Sequence, residues 1–311
     1  MTVTEPSQWS YKKIDRTSDR SGLMRGRVCR VAWCCLAIAT PHLSGPTPDI
    51  QKRADASWLD RYDLAAPARI INLPDVLKEA SGLAVWNAAH LLSHNDQRSA
   101  LFLFRAADGK IVREIGIGRS HGLRGDYEEL VLDGRRGYLL RSDGALLEFS
   151  LDDTSSMVSA RQDVSLEAVG CEMESLALDV SGPGLIAVCK HERGKQMRSG
   201  LLVLRWTPNS GYDARTSFRV PWAAFGGDGS DLRFSGAARL PDSSGWVLVE
   251  GEHGRIAELA ADGRVIAVRA LPKKLLPQVE GVAFGVDGSL YLASEGQGGP
   301  GLLAIYPPVT R

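Results

Sequence analysis

A short phrase recurs five times between residues 79 and 283, and it constrains the fold more than any other feature of the chain. Each copy has an acidic or polar residue, a spacer, Ser or Glu, usually Gly or Ser, and a short apolar step. The copies are Glu79-Ala-Ser81-Gly-Leu-Ala, Asp126-Tyr-Glu128-Glu-Leu-Val, Glu172-Met-Glu174-Ser-Leu-Ala, Arg233-Phe-Ser235-Gly-Ala-Ala and Gln278-Val-Glu280-Gly-Val-Ala. Their third positions lie 47, 46, 61 and 45 residues apart, the length of a four-stranded propeller blade rather than of a two-helix repeat.

Short apolar runs separated by Gly, Asp, Asn and Ser turns follow each copy and read as strands. In the fourth copy the runs cover residues 236–240, 245–250, 255–260 and 265–271. The last copy supplies three strands before the chain ends, whereas residues 68–73 form a strand with no blade of its own. We therefore predict an all-β chain, a single β-propeller of about five four-stranded blades closed by the amino-terminal strand. Six blades are the alternative, because the 61-residue step leaves room for extra structure.

The amino-terminal segment has the order of a secretory signal. Residues 24–30 are basic, and residues 31–39 are an apolar run that ends in Ala37-Ile-Ala39. This run is too short to span a bilayer, which needs about 20 apolar residues. We predict a leader at 1–39 with a possible true start at Met24, a linker at 40–66 and the propeller at 67–311. The expected location is periplasmic or secreted, with membrane attachment only through an uncleaved leader; an unstructured tail is the alternative.

Cysteine usage and charge narrow the class further. Beyond the leader the chain keeps Cys171 and Cys189, which an exported protein would be expected to pair as a disulfide. Two independent buried thiols are the alternative. The residues after position 39 hold 30 basic and 34 acidic side chains, with no basic stripe interleaved with aromatic residues. This composition argues against nucleic acid as a partner, and it leaves the oligomeric state open.

The repeated phrase also predicts where a site would lie. The innermost strands of a propeller line its channel, so the third positions form a ring at one mouth, composed of Ser81, Glu128, Glu174, Ser235 and Glu280. The second strand of each blade returns to the same face and adds outer acidic candidates: Asp96, Asp143, Glu192, Glu252 and Glu295. Carboxylates about 6 Å apart repel by roughly 3 kcal/mol at an effective dielectric near 20. Such a ring must stay splayed in water, hold protons, or hold a cation.

Oxygen ligands without clustered thiolates favour a hard ion, and a flexible channel suits Ca²⁺ better than Mg²⁺. We therefore predict Ca²⁺ as cofactor, with Glu128, Glu174 and Glu280 as its ligands. The alternative is structural: a Glu at a strand start accepts hydrogen bonds from amides of neighbouring blades.

Nothing in the sequence identifies a catalytic nucleophile. It contains no phosphate-cradling loop and no His-Glu-x-x-His helix. The catalytic residues are therefore unknown, and the candidates are His94, Glu174 and Arg193, which would act as base or bind an anion near a channel ion. A small-molecule or anionic ligand fits this set.

Several of these segments, in their order and intervals, resemble the SdiA-regulated, YjiK/CarP-like propeller family. They are Leu73-Pro-Asp-Val-Leu-Lys-Glu79-Ala-Ser-Gly-Leu, Asp126-Tyr-Glu128, Glu174-Ser-Leu-Ala, Cys189-Lys-His-Glu192 and Val279-Glu-Gly-Val-Ala-Phe. The resemblance covers nearly everything after residue 67, and esterase-like phytases and the gluconolactonase group use similar phrases. It implies a calcium-associated propeller, usually exported or membrane-anchored. The chain departs from the pattern where Glu129 replaces Gly and where Arg233-Phe-Ser235 lacks an acidic residue.

Together these observations predict an exported calcium-binding propeller with a ligand-binding or calcium-linked signalling role at its acidic mouth. One alternative is a metal-dependent hydrolase of a phosphoester or lactone, which would use the same mouth. Another is a structural or protein-interaction propeller, in which the channel carries no chemistry.

Overall fold

The computed structural model describes residues 56–163, 170–192, 200–226 and 232–309, and their regular structure is almost entirely β. The predicted leader and most of the predicted linker lie outside these residues. The first blade contains β2 (Ala80–Asn87), β3 (His90–Asn95), β4 (Ala100–Arg105) and β5 (Ile111–Ile117). The second contains β6 (Tyr127–Asp133), β7 (Arg136–Arg141), β8 (Leu146–Ser150) and β10 (Ala160–Asp163). The short β9 (Met157–Val158) lies between β8 and β10 in sequence, but it pairs in parallel with β5 of the first blade.

The remaining three blades follow the same plan. The third contains β11 (Cys171–Leu178), β12 (Leu185–Glu192), β13 (Gly200–Thr207) and β14 (Gly211–Pro221). The fourth contains β15 (Phe234–Arg239), β16 (Gly245–Glu250), β17 (Arg255–Ala260) and β18 (Val265–Ala270). The fifth contains β19 (Gln278–Phe284), β20 (Leu290–Glu295), β21 (Leu302–Tyr306) and β1 (Arg69–Asn72).

The five sheets close into a propeller. The first strand of each blade contacts its neighbours in the circular order β2, β6, β11, β15, β19 and back to β2. The ring is completed by β1, which pairs antiparallel with β21 and places Arg69 opposite Ile305. This pairing covers the otherwise open outer edge of β21 with the strand that the sequence left without a blade. The prediction of five blades closed by an amino-terminal strand is confirmed.

The hydrophobic core is divided among the blade interfaces. Alternate apolar side chains of each sheet pack against the facing side of the next, as period-two strands with two buried faces require. The interface between the second and third blades, for example, buries Tyr138 against Trp206 with ring centroids 5.7 Å apart. The interface between the third and fourth buries Trp246, whose indole donates to Leu178 O at 2.9 Å.

The long third step contains no sixth blade within the described residues. From the Gly, Pro and Asn content of residues 206–231 the sequence predicts a long loop with one strand at 217–220, whereas β14 already begins at Gly211. Thr207 of β13 is joined to Gly211 of β14 by a short turn, and residues 214–217 of β14 bulge opposite the single residue Leu204 of β13. In the described residues, the extra length of the 61-residue step forms a long hairpin and a 3-10 helix, Trp222–Phe225.

Residues before the predicted boundary at 67 also pack against the blades. Ser57 caps a 3-10 helix, Trp58–Arg61, by accepting from Leu59 N–H. The Ser57 hydroxyl also donates to the buried carboxylate of Glu258 at 2.5 Å. Leu59, Tyr62 and Leu64 are buried in the core between the fourth and fifth blades. This segment therefore packs as part of the propeller.

Across the described residues, no helix has the length and apolar character needed to cross a membrane.

Candidate functional site: an acidic channel mouth

Each copy of the repeated phrase encodes a β-bulge. In β6 the register passes from Tyr127–Arg141 to Glu129–Leu140 and leaves Glu128 without a partner. The same two-against-one irregularity occurs in all five inner strands, and the residues it leaves unpaired include the third positions Ser81, Glu128, Glu174, Ser235 and Glu280. A bulge kinks the strand and re-aims the side chain of the extra residue. The phrase thus directs one side chain from every blade out of the sheet register at the same end of the channel, which we call the mouth.

A second bulge brings a lysine into the mouth. On β12 the register passes from His191 to Cys189 and skips Lys190, while on β11 it skips Glu174. These two skipped residues meet, with Lys190 Nζ 2.6 Å from Glu174 Oε2. Glu174 is buried, and burial normally penalises a charge strongly unless it is paired. Lys190 therefore neutralises one carboxylate of the ring.

The three glutamates of the ring act on one another electrostatically. Burial, followed by the charges of Glu174, Asp126 and Glu280, raises the pKa of Glu128 to about 9. Burial raises the pKa of Glu174 to about 7 even though Lys190 opposes the shift. Burial and Glu295 raise the pKa of Glu280 to about 7. Near neutral pH, the mouth therefore retains protons that isolated carboxylates would have lost.

Glu295 and Gln278 complete the immediate surroundings of Glu280. The Gln278 amide donates to Glu280 Oε1 at 2.7 Å. Glu295 hydrogen-bonds Glu280, and its own pKa is raised, first by burial. A carboxyl pair of this kind is stable when one member keeps its proton and donates it to the other.

The carboxylate oxygens of the mouth suit a hard cation, but they lie too far apart to coordinate one ion as they stand. Two groups of three potential ligands occur among the described residues with their ligand atoms within 4.8 Å of one another. They are Cys171–Cys189–Glu192 and Glu250–Glu252–His253. The trio Glu128, Glu174 and Glu280 is not among them. A Ca²⁺ ion needs oxygens at 2.3–2.6 Å. Binding would therefore require the glutamate side chains to rotate inward and the Lys190 ammonium to be accommodated.

The outer acidic candidates divide into different environments. Glu295 joins the mouth, and burial followed by the charge of Glu79 raises the pKa of Asp96 beside it. Asp143 forms a close ion pair with Arg141, which holds the pKa of Asp143 below its usual range. Glu192 is held by Arg219 through two guanidinium bonds of 3.0 and 2.5 Å.

Glu252, the remaining outer candidate, lies in a separate group with Glu250 and His253. The buried Glu250 carboxylate accepts from His253 N–H and lies 3.0 Å from His253 Nδ1. These contacts are local to the turn after β16, so this group stands as a unit beside the mouth rather than within the ring.

The catalytic candidates are not equally placed. His94 is fully buried, with Nδ1 3.0 Å from Asn95 O, and burial lowers its pKa to about 4. Glu174 lies in the mouth as described, and Arg193 falls outside the described residues. His94 Nε2 has no hydrogen-bond partner among the described residues and points toward the space left by Gly82.

Glu129 is the channel residue whose role sequence reasoning missed. Its carboxyl accepts from Leu130 N–H at 3.0 Å and from Ala237 N–H, two blades away, at 3.1 Å. A Cβ built on Gly82 would lie 2.6 Å from Glu129 Oε1 and 2.8 Å from His94 Nε2, so glycine there makes room for both groups. Glu129 therefore crosses the channel beneath the mouth and satisfies amides of inner strands. The signal was present: Glu129 occupies a position that is Gly or Ser in the other four copies.

A disulfide joins the two strands that carry the ion pair. Cys171 on β11 is bonded to Cys189 on β12, with Cα atoms 5.7 Å apart. Cys189 directly precedes Lys190, so the bridge ties the Lys190 backbone to the strand of Glu174.

We expect the Cys171→Ser/Cys189→Ser variant to lose about 3 kcal/mol of unfolding free energy, since the bridge closes a short loop in the unfolded chain. The measurement is urea unfolding under non-reducing conditions, with wild type plus reductant as a second comparison. The expectation would be contradicted by equal stability of the variant and the oxidised wild type.

Comparison with known proteins bears on the fold alone. No protein-family model matches the chain, and no curated protein sequence matches it significantly. Among solved structures, a glutaminyl cyclase from Myxococcus xanthus superposes with a TM-score of 0.53 at 13% identity, over 79% of this chain and 97% of that one. A PQQ-bound aldose sugar dehydrogenase from Streptomyces coelicolor gives 0.49 at 15% identity, over 78% and 99%. A luciferin-regenerating enzyme gives 0.49 at 12%, over 78% and 96%. The chain thus shares its overall fold with the glutaminyl cyclase structure.

Proposed function

We propose that the acidic mouth, formed by Glu128, Glu174, Glu280 and Glu295, binds a small cation, and that this ion is Ca²⁺. The observation that carries the proposal is the bulge pattern, which directs a glutamate from each of three blades into one desolvated mouth. Carboxylates with raised pKa values gain most from a cation, because the ion replaces the protons that mutual repulsion retains. In an exported protein, such a site would serve ligand binding or calcium-linked signalling.

The ion would be held by carboxylate oxygens of Glu128 and Glu280. Lys190 already satisfies Glu174, so it sets the number of carboxylates that remain free for the ion. Bound Ca²⁺ would supply charge neutralisation and a Lewis-acidic position at the mouth.

The test is isothermal titration of the metal-stripped protein with Ca²⁺ at pH 6 and pH 8. We expect tighter binding at pH 8, accompanied by proton release that is detected with buffers of different ionisation enthalpy. Glu128→Gln/Glu280→Gln should abolish the heat, whereas Asp262→Asn, an exposed carboxylate at a distant turn, should leave it unchanged. Absence of binding to wild type at both pH values, together with no melting shift, would refute the proposal.

A second candidate function is metal-dependent hydrolysis of a phosphoester or lactone. It is favoured by the separation of pKa values within the mouth, about 9 for Glu128 against about 7 for Glu174 and Glu280. Carboxyl groups whose pKa values differ in this way can divide the roles of general acid and general base. Turnover of phosphomonoesters, phytate or lactones with added Ca²⁺, lost in Glu174→Gln, would support this function; turnover equal in both proteins would exclude it.

A further inference from the structure

An arginine pair stands at the rim of the mouth, between the first and second blades. The segment from Gly118 to Asp126 connects β5 to β6 and lies along the segment that connects β3 to β4. Ser99 N–H donates to Leu123 O at 2.9 Å, and Gly125 N–H donates to Gln97 O at 3.2 Å. The Ser99 hydroxyl also accepts from Leu123 N–H at 2.7 Å. These bonds hold the two connections together as a fixed unit.

The bonds place Arg98 directly opposite Arg124 in an isolated antiparallel bridge. The hydrogen bonds flank this pair and do not join its two members, so it is of the non-hydrogen-bonded type. In such pairs the Cα atoms are only about 4.5 Å apart and the side chains are closest. Like charges directly opposite each other destabilise a strand pair. The fold therefore accepts an unfavourable arrangement at this point.

The two arginines differ in how the protein compensates their charges. Arg98 Nη2 forms a loose ion pair with Glu114 Oε1 at 3.6 Å, and the Arg98 guanidinium lies over the Phe102 ring at 5.9 Å from its centroid. Arg124 is exposed and has no ion-pair partner among the described residues. The nearest carboxylate in sequence, Asp126, accepts a hydrogen bond from the Ser142 hydroxyl at 2.7 Å in the second blade. The same connection carries the exposed Arg119 and His121, which add to the positive charge.

We infer that Arg98 and Arg124 form a site for a phosphate group, either free or as the monoester of a small molecule. Two guanidinium groups on one face present planar donor pairs that match the oxygens of a tetrahedral dianion. A phosphate dianion would turn the like-charge pair into a charge-balanced cluster, whereas a chloride ion would neutralise only half of it. The site is formed by connections outside the channel and uses none of the mouth glutamates, so it stands independently of the cation site.

The test compares phosphate binding by the full chain with that of single charge-removing variants. Thermal unfolding and titration are carried out in phosphate and in chloride at equal ionic strength. We expect wild type to bind phosphate and melt at higher temperature in its presence. Arg124→Gln should weaken binding by about tenfold or more, the effect of losing a charge-assisted bond. Arg264→Gln is the matched control. Arg264 is exposed, and its Nε lies 4.0 Å from Asp262 Oδ2, so it forms no more than a loose ion pair.

A second readout separates binding from a structural role. In chloride, Arg124→Gln should melt at the same or a higher temperature than wild type because the like-charge repulsion is gone. In phosphate, the order should reverse. Lower stability of Arg124→Gln in both salts, equal phosphate affinity in wild type and Arg124→Gln, or equal weakening in Arg264→Gln would each overturn the inference. Inorganic phosphate and glycerol 2-phosphate are titrated in parallel, and the tighter of the two shows whether the natural group is free or esterified.

Discussion

Replacing Glu129 with Leu is expected to reduce the unfolding free energy by about 2–5 kcal/mol, among the largest single-residue effects in the protein. Glu129 is 1% exposed, and its two oxygens accept from Leu130 N–H and Ala237 N–H. Leucine fills a similar volume but accepts no hydrogen bond, so both amides would be buried without a partner. Because these amides belong to inner strands two blades apart, the loss would fall on the contacts across the channel. Urea unfolding at pH 6 measures the change.

Glu129→Gln is the matched variant, since it keeps one carbonyl oxygen and removes the ionisable group. Burial raises the pKa of Glu129 well above its usual value. For an acid whose pKa is raised by folding, stability is full below the unfolded pKa and falls as pH rises toward the folded pKa. The stability of Glu129→Gln relative to wild type should therefore increase between pH 5 and pH 9. Equal stability of Glu129→Leu and wild type would mean that the amides find other partners, and would contradict this account.

The architecture could be predicted from the sequence because blade length and strand alternation are local properties. The interval between copies defined the blade, and the unassigned strand now seen as Arg69–Asn72 defined the closure. The start of β14 at Gly211 was missed because residues 214–217 bulge out of the register with β13, and this bulge interrupts the strand pattern between Gly211 and Phe218.

The position of the candidate site could be predicted from the sequence, but the contacts that compensate its buried carboxyl groups could not. The third positions identified Glu128, Glu174 and Glu280, because equivalent residues of a cyclic repeat must gather at one end. The ion pair between Lys190 and Glu174 was not foreseen, since it requires register shifts on both strands of the same hairpin. The path of Glu129 to Ala237 was not foreseen either, because it joins residues 108 positions apart across a closed ring.

Removing the three ring carboxyls is expected to change the pH dependence of stability more than any other substitution at the mouth. The folded-state pKa values are raised to about 9 for Glu128 and about 7 for Glu174 and Glu280, whereas the unfolded chain titrates near 4.5. Between these values the unfolded state has lost protons that the folded state keeps, so wild-type stability falls as pH rises from about 4.5 toward 7 and, for Glu128, toward 9. The triple variant Glu128→Gln/Glu174→Gln/Glu280→Gln lacks these groups and should not show this part of the decline.

The quantity to measure is therefore the difference in unfolding free energy, triple variant minus wild type, from pH 5 to pH 9. We expect the difference to rise steadily with pH, because the attraction of Lys190 for the Glu174 carboxylate is already contained in the raised pKa of Glu174. Asp262→Asn, which removes an exposed carboxylate, should give a flat difference. Added Ca²⁺ should restore wild-type stability at pH 8 and leave the triple variant unchanged, because a cation at the mouth replaces the retained protons. A flat difference for the triple variant would show that the three carboxyls titrate as if exposed, and that the mouth is wetter and more splayed than its burial implies.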